Sequence, residues 1–239
     1  MARGDGREHG QMRPTRLVRG FVPDAEGSCL IEMGNTRVIC AATVENSLPS
    51  YRKAGGQLGW LTAEYGMLPR SSPTRIARET RSGPSGRTLE IQRLIGRSLR
   101  TAVDLPALGE RTIMIDCDVL QADGGTRCAS ITGAWVALSE ACRWLVSTGA
   151  LARTPLVAQV GAISVGVVGS VEVLDLCYEE DSRCDVDMNV VATDQGRYIE
   201  VQGTGEREPF DRERLGRLLD LARIGLDEIF RLQREAMGE

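Results

Sequence analysis

Two alternating, largely apolar runs, residues 28–33 and 36–45, are separated only by Gly34 and Asn35. Two residues cannot carry a crossover, so the runs can pair only antiparallel. Gly-Asn also supplies the positive-φ backbone that a two-residue hairpin needs. The device recurs. Residues 158–168 and 171–177 flank Gly169-Ser170, and residues 186–193 and 197–203 flank Asp194-Gln195-Gly196. Hairpins therefore outnumber strand–helix–strand crossovers. This argues against a doubly wound parallel sheet and predicts an α+β fold, hairpin-rich sheets with packed helices, in two β-then-α lobes.

Three helices are expected. One begins near Gly86–Thr88 and runs to about Val103, with Ile91, Leu94, Ile95, Ser98 and Ala102 tracing its buried stripe. A second spans about 127–146 after Gly124-Gly125-Thr126, and a third about 212–236. Residues 111–120 alternate as a strand that places Asp116 and Asp118 on one face. These two are candidate metal ligands, and pairing with arginines of the preceding helix is the favoured role. Residues 46–86 read as one long arginine-rich connection, a length more often functional than idle. Residues 1–12 read as a flexible tail, and residues 13–239 as a single domain of two lobes.

The only histidine is His9 and the only lysine is Lys53. Serine–histidine hydrolysis, two-histidine ribonuclease chemistry and histidine-ligated zinc are thereby improbable. Chemistry has to run on carboxylates, guanidinium groups, backbone amides and a metal ion. The seven cysteines form no C-x-x-C pair and sit mostly in apolar stretches, so buried reduced thiols are expected. With no long apolar run and no apolar leader, a cytoplasmic protein that does not engage membranes is expected.

Charge is segregated along the chain. Residues 50–100 hold nine arginines and Lys53 against three glutamates, whereas residues 172–187 hold seven carboxylates against Arg183 alone. Such runs are usually solvated faces. A protein that binds a polyanion around a metal-assisted centre needs both kinds of surface. In Gln121-Ala122-Asp123-Gly124-Gly125-Thr126-Arg127 a strand enters a helix through two glycines. Free helix amides, the Thr126 hydroxyl and the Arg127 fork suit an anion there. A capped tight turn is the plainer reading. Arg87, at another helix start, supplies a second fork, and two forks on one small dianion favour inorganic phosphate. The acidic segment 178–189 brings Asp181 into the loop before Asp185 and Asp187, oxygen ligands of the kind Mg²⁺ takes. Arg70, Arg75, Arg78 and Arg81, following Trp60 and Tyr65, suit an RNA backbone and unstacked bases.

These segments, in this order, resemble the ribonuclease PH family. The phrases that carry the resemblance are Gly59-Trp60-Leu61-Thr62-Ala63-Glu64-Tyr65-Gly66-Met67-Leu68-Pro69-Arg70, then Gly86-Arg87-Thr88-Leu89-Glu90-Ile91-Gln92-Arg93-Leu94-Ile95-Gly96-Arg97. Asp116 through Arg127 and Asp187-Met188-Asn189-Val190-Val191 complete the set. The resemblance runs from about Arg13 to Gln233. It implies a ribosomal-S5-domain-2-like fold, a homohexamer built as a trimer of dimers, and a tRNA nucleotidyltransferase. Such an enzyme uses inorganic phosphate to trim tRNA precursors, and other RNA 3′ ends, beyond the CCA end. It further implies phosphate binding by Arg87, Gly125, Thr126 and Arg127, and catalytic, Mg²⁺-associated roles for Asp181 and Asp187. Arg70, Arg75 and Arg78 resemble its tRNA-contacting loop. Cys128 and Arg207 depart from the family pattern, and both are expected outside the site.

The implied reaction is in-line attack by phosphate on the last phosphodiester, with Asp181 either holding the metal or delivering a proton. Competing classes are an RNA-binding ring subunit without catalysis and a hydrolytic exonuclease. Retention of Arg87, Arg127, Asp181 and Asp187 argues against the former, and the chemistry of the released product separates the latter.

Overall fold

The computed structural model describes residues 3–54, 58–79 and 83–239. Five strands form the first sheet: β1 (Thr15–Arg19), β2 (Gly27–Met33), β3 (Thr36–Glu45), β4 (Trp60–Met67) and β5 (Thr112–Gln121), in the order β1-β2-β3-β5-β4. The β2–β3 hairpin turns at Gly34-Asn35 as the sequence requires, pairing Met33 with Thr36. The second sheet contains β6 (Val160–Val168), β7 (Val171–Leu174), β8 (Val186–Thr193) and β9 (Tyr198–Gly205), in the order β7-β6-β8-β9. Every pairing in this sheet is antiparallel, and both expected hairpins form.

The helices are α1 (Ser50–Ala54), α2 (Gly86–Arg100), α3 (Thr126–Ser147), α4 (Tyr178–Asp181) and α5 (Arg212–Met237). α2 and α3 pack on the first sheet, and α3 and α5 on the second. α3 is therefore shared, and residues on all its sides are buried, from Cys128 to Leu145. A helix wrapped on every side needs apolar residues all round and small ones where a sheet comes close. Gly133 is such a place, because a Cβ there would lie 2.8 Å from Ile31 Cγ2 and 3.0 Å from Cys40 Sγ. One continuous apolar cluster joins the two lobes, running from Ile31 and Val38 through Ile131 and Val136 to Ile163 and Ile229.

Several expectations need correction. The connection read over 46–86 contains β4, which pairs parallel with β5 in the register Glu64 to Asp116. α2 is thus the crossover of a genuine strand–helix–strand unit. Leu61, Ala63 and Tyr65 of β4 are buried and Met67 packs partly buried against the same core, and so short an apolar set hides the alternation. Asp116 and Asp118 lie on the outer face of the first sheet and form no ion pair with any described residue. Burial and the nearby carboxylates Glu64 and Asp118 push the Asp116 carboxyl upward.

Residues 3–12 of the expected flexible tail, with Arg13 after them, are packed as well. Arg3, Arg7 and Arg13 are each less than a tenth exposed, with Arg3 making paired hydrogen bonds of 2.7 Å to Glu180. Buried guanidinium groups with carboxylate partners fix a segment whose composition alone reads as mobile. Six of the seven cysteines are buried and all seven are free thiols. No helix among the described residues is long and apolar enough to cross a membrane.

Overpacking at the contact of α3 with the first sheet gives a direct test. Gly133→Val is expected to cost about 1–3 kcal/mol, seen as a lower urea midpoint with an unchanged slope.

Candidate active site

A cavity of about 950 Å³ opens where the N-terminus of α3 meets α4, β8 and β9. Its first wall is the turn into α3. Gly124 and Gly125 have φ of +76° and +67°, and a Cβ on Gly124 would lie 2.6 Å from the Leu176 carbonyl oxygen. Glycine is needed at this turn by both backbone conformation and space. Gly125 is the N-cap residue of α3 and offers no side chain to cap it. The first amides of a buried helix are thereby left facing the cavity side, an arrangement that favours an anion.

Thr126 is 7% exposed, and its hydroxyl shares a hydrogen bond of 3.0 Å with the hydroxyl of Tyr65 on β4. The Arg127 guanidinium donates to Gln202 Oε1 on β9 and lies 3.6 Å from Glu90 on α2. One contact comes from the second sheet and the other from the helix packed on the first, so the fork is held across the junction between the lobes. Arg87 stands at the second residue of α2, whose first turn is capped by Ser85 accepting from the Thr88 amide. It lines the same cavity as Arg127, and both guanidinium charges act on the Asp181 carboxyl. Two arginines forty residues apart in sequence thus converge on one space.

The opposite wall is acidic. Asp181 ends α4, and Asp187 is the second residue of β8, where it pairs with Gly166 and Thr204. Burial, then the negative charge of Asp181, pushes the Asp187 carboxyl up to about 6, with Arg127 opposing and Glu206 adding to the rise. Burial also raises Asp181, while Arg87 and Arg127 pull it down. Asn189 Nδ2 donates to Asp187 Oδ2 at 3.3 Å and orients it. Among the described residues no group of three or more His, Cys, Asp or Glu side chains has metal-holding geometry. Two facing carboxylates and the nearby Glu206 charge nevertheless form a hard-oxygen set. It fits a divalent cation that completes its shell with water and phosphate oxygens.

The remaining candidates divide. Ser72, Pro73, Thr74 and Ile76 border the cavity, so the arginine-rich loop reaches it. Arg70, Arg75 and Arg78 are exposed beside that border rather than lining it, and Arg81 lies outside the described residues. Tyr65, expected beside unstacked bases, is instead buried with its hydroxyl on Thr126. Glu90, Asn189, Gln202 and Glu206 are site residues that the sequence does not single out, because tertiary packing brings them there. The expectation for the two departures also fails. Arg207 lines the cavity, and Cys128 Sγ donates to Asn189 Oδ1 at 3.2 Å, one side chain from Asp187.

Comparison with known proteins agrees with this construction. Residues 11–143 match domain 1 of the 3′ exoribonuclease family, and residues 158–225 match its domain 2. Fold and cavity therefore define a protein of the 3′ exoribonuclease class. Ribonuclease PH of Corynebacterium kroppenstedtii is 54% identical over 99% of this chain and 93% of its own. Ribonuclease PH of Solibacter usitatus is 54% identical over 98% of each. The chain belongs to the 3′ exoribonuclease family and is a phosphate-dependent 3′→5′ exoribonuclease, a nucleotidyltransferase by reaction type. Among solved structures, rice Rrp46 superposes with a TM-score of 0.80 at 18% identity, covering 99% of this chain and all of its own. An Archaeoglobus fulgidus exosome structure with RNA bound to the active site gives 0.78 at 22% identity, covering 96% and 91%. At these identities the likeness is one of fold.

The raised carboxyl makes a prediction about stability. A carboxyl whose folded pKa stands near 6 binds its proton more tightly folded than unfolded. Its stabilising contribution is present at pH below about 4 and is lost as pH rises through 6. Asp187→Asn removes that penalty. It is expected to raise stability at pH 8 by about 1–2 kcal/mol, less than the full shift because water reaches the group. The gain should vanish toward pH 4, and equal urea midpoints of variant and parent at pH 8 would contradict it.

Proposed function

We propose that the chain trims tRNA precursors beyond the CCA end, one nucleotide at a time, with inorganic phosphate as the attacking group. The observation that carries this reading is the convergence of Arg87, Arg127 and the uncapped α3 N-terminus on one cavity that also holds Asp181 and Asp187. Guanidinium forks and helix amides are matched to a small dianion. Arg87, Gly125, Thr126 and Arg127 bind and aim the phosphate. Its oxygen attacks the last phosphorus, the bond from that phosphorus to the 3′ oxygen of the preceding nucleotide breaks, and a nucleoside diphosphate leaves.

Asp181 and Asp187 would hold Mg²⁺, which when bound supplies a positive charge beside the leaving 3′ oxygen. In the alternative role a protonated Asp181, not holding the metal, would deliver the proton that this oxygen takes up. Thr126 is kept in line by Tyr65, and Asp187 by Asn189. One phosphate linkage replaces another, so the reaction is reversible and can add nucleotides from diphosphates. No step requires a histidine, in keeping with a chain whose only one is His9.

The exposed Arg70, Arg75 and Arg78 belong to the loop whose Ser72, Pro73, Thr74 and Ile76 reach the cavity, and carry the tRNA body by backbone contacts. A homohexamer, assembled as a trimer of dimers, is the proposed working form. Its support is the resemblance and the fold shared with a structure described as an archaeal exosome core, TM-score 0.75. Seven free thiols favour the bacterial cytoplasm, and trimming of ribosomal RNA 3′ ends fits the same chemistry.

Chromatography of products from a tRNA precursor with extra 3′ nucleotides tests the reading. Nucleoside diphosphates are expected with phosphate and no release without it, whereas monophosphates released without phosphate would mean hydrolysis. Arg87→Ala is expected to lower kcat/KM for phosphate about 100-fold, with tRNA affinity in filter binding retained. The combined change of Arg70, Arg75 and Arg78 to Ala is expected to raise KM for tRNA at unchanged kcat. It should also flatten the dependence of log binding constant on log salt by up to about 0.7–0.9 per lost phosphate contact.

A further inference from the structure

The first residues of the chain contribute three arginines that are nearly sealed from water, yet none of them lines the cavity of the active site. A buried guanidinium is stabilised by using its donors. Besides contacts within the segment itself, to Asp5, Glu8 and Gln11, the partners of these three fall in two places. One is the turn that precedes α3, and the other is the segment 174–180 that leads into Asp181. Arg13 joins both. Its Nε and Nη2 reach the two oxygens of Asp175 at 2.9 and 2.6 Å, and its backbone amide donates to Oδ2 at 2.8 Å. Its remaining donors go to the carbonyl oxygens of Asp123 and, at 3.5 Å, Gly124.

Asp175 itself is fully buried and has φ of +54°, a conformation that L residues adopt only when held there. What holds it is visible. Its amide donates to Ser164, and its carbonyl accepts from Arg3 at 2.9 Å and Arg7 at 3.0 Å. The Asp123 carboxylate accepts from the Tyr178 amide at 3.2 Å, tying the same turn to α4.

We infer that Arg13, through its ion pair with Asp175, is a positioning residue for the attacking phosphate. The mechanism is peptide geometry. In a planar trans peptide the carbonyl of one residue and the amide of the next point in opposite directions. Arg13 draws the carbonyls of Asp123 and Gly124 to one side, with Thr36 Oγ1 donating to the latter at 2.7 Å. The amides of Gly124 and Gly125 are thereby turned to the other side, and they have no acceptor among the described residues. Both glycines line the cavity. The pair therefore presets two donors that a phosphate would otherwise have to order on binding. This inference rests on the phosphate-site reading given above.

The test compares the full-length enzyme with Arg13→Lys, which keeps the positive charge beside Asp175 but cannot fork between carboxylate and carbonyls. Asp175→Asn, which keeps the shape of the buried acceptor, is measured alongside. KM for inorganic phosphate is expected to rise about tenfold or more, with kcat at saturating phosphate within about threefold and KM for tRNA unchanged. A purely structural role would lower the fraction of active enzyme, and so kcat, without moving KM for phosphate. An unchanged KM for phosphate in both variants overturns the assignment, as does loss of folding in both. If only one folds, the kinetics of that one decide. The parent enzyme in the same assay keeps the two readings apart. If it releases nucleotides without phosphate, the phosphate-site reading falls. If it needs phosphate and the variants match it, only the positioning role falls.

Discussion

The structure turns on the burial of one helix against two sheets. α3 is covered by β2 and β3 on one side and by β6 on the other, so it contributes to the core of both lobes. Burial on nearly every side leaves room there only for apolar side chains and small hydroxyls that find a partner, such as Ser130 and Thr132, and demands glycine where the first sheet comes close, at Gly133. It also determines where the polar work can be done. A buried helix still has unpaired amides at its start, and these must meet water, a side chain or a ligand. Here the start falls at the seam between the lobes, and Gly125 supplies no cap. The anion site follows from the packing rather than being added to it.

Charges in the cavity are kept apart although attraction would bring them together. Arg127 is held by Gln202 and Glu90, neither of them in the acidic pair, and Arg87 is fixed by the start of α2. Asp181 remains close enough to raise the hold of Asp187 on a proton, and burial raises both. That arrangement is unfavourable for the isolated fold and is offset by the core. It suits a reaction in which one anion attacks another, because guanidinium groups steady the attacker while the carboxylate side receives a cation.

The sequence made much of this legible. Gly34-Asn35, Gly169-Ser170 and the 194–196 turn each forced a hairpin, and each hairpin is present. The stripe from Ile91 to Ala102 is buried. Arg87, Gly125, Thr126, Arg127, Asp181 and Asp187, found by segment chemistry and family resemblance, do line a common cavity. Other features were hidden. β4 has too few large apolar residues to announce itself, and the polar start of the chain gave no sign that Arg3, Arg7 and Arg13 had buried partners more than a hundred residues away. Tyr65 and Gln202 serve the site through contacts with α3 from opposite sheets, which spacing along one chain does not encode.

Local rules therefore sufficed for what short stretches of chain decide: which runs pair as hairpins, where helices begin, and which residue types can bind an oxyanion. Turn sterics and hydrophobic periodicity act over a few residues and leave their mark in order along the chain. Convergence of Arg87 with Arg127, the strained backbone of Asp175 and the raised carboxyl of Asp187 arose only on folding. Each depends on distance, burial and the field of groups remote in sequence, and these come into being when α3 is enclosed between the two sheets.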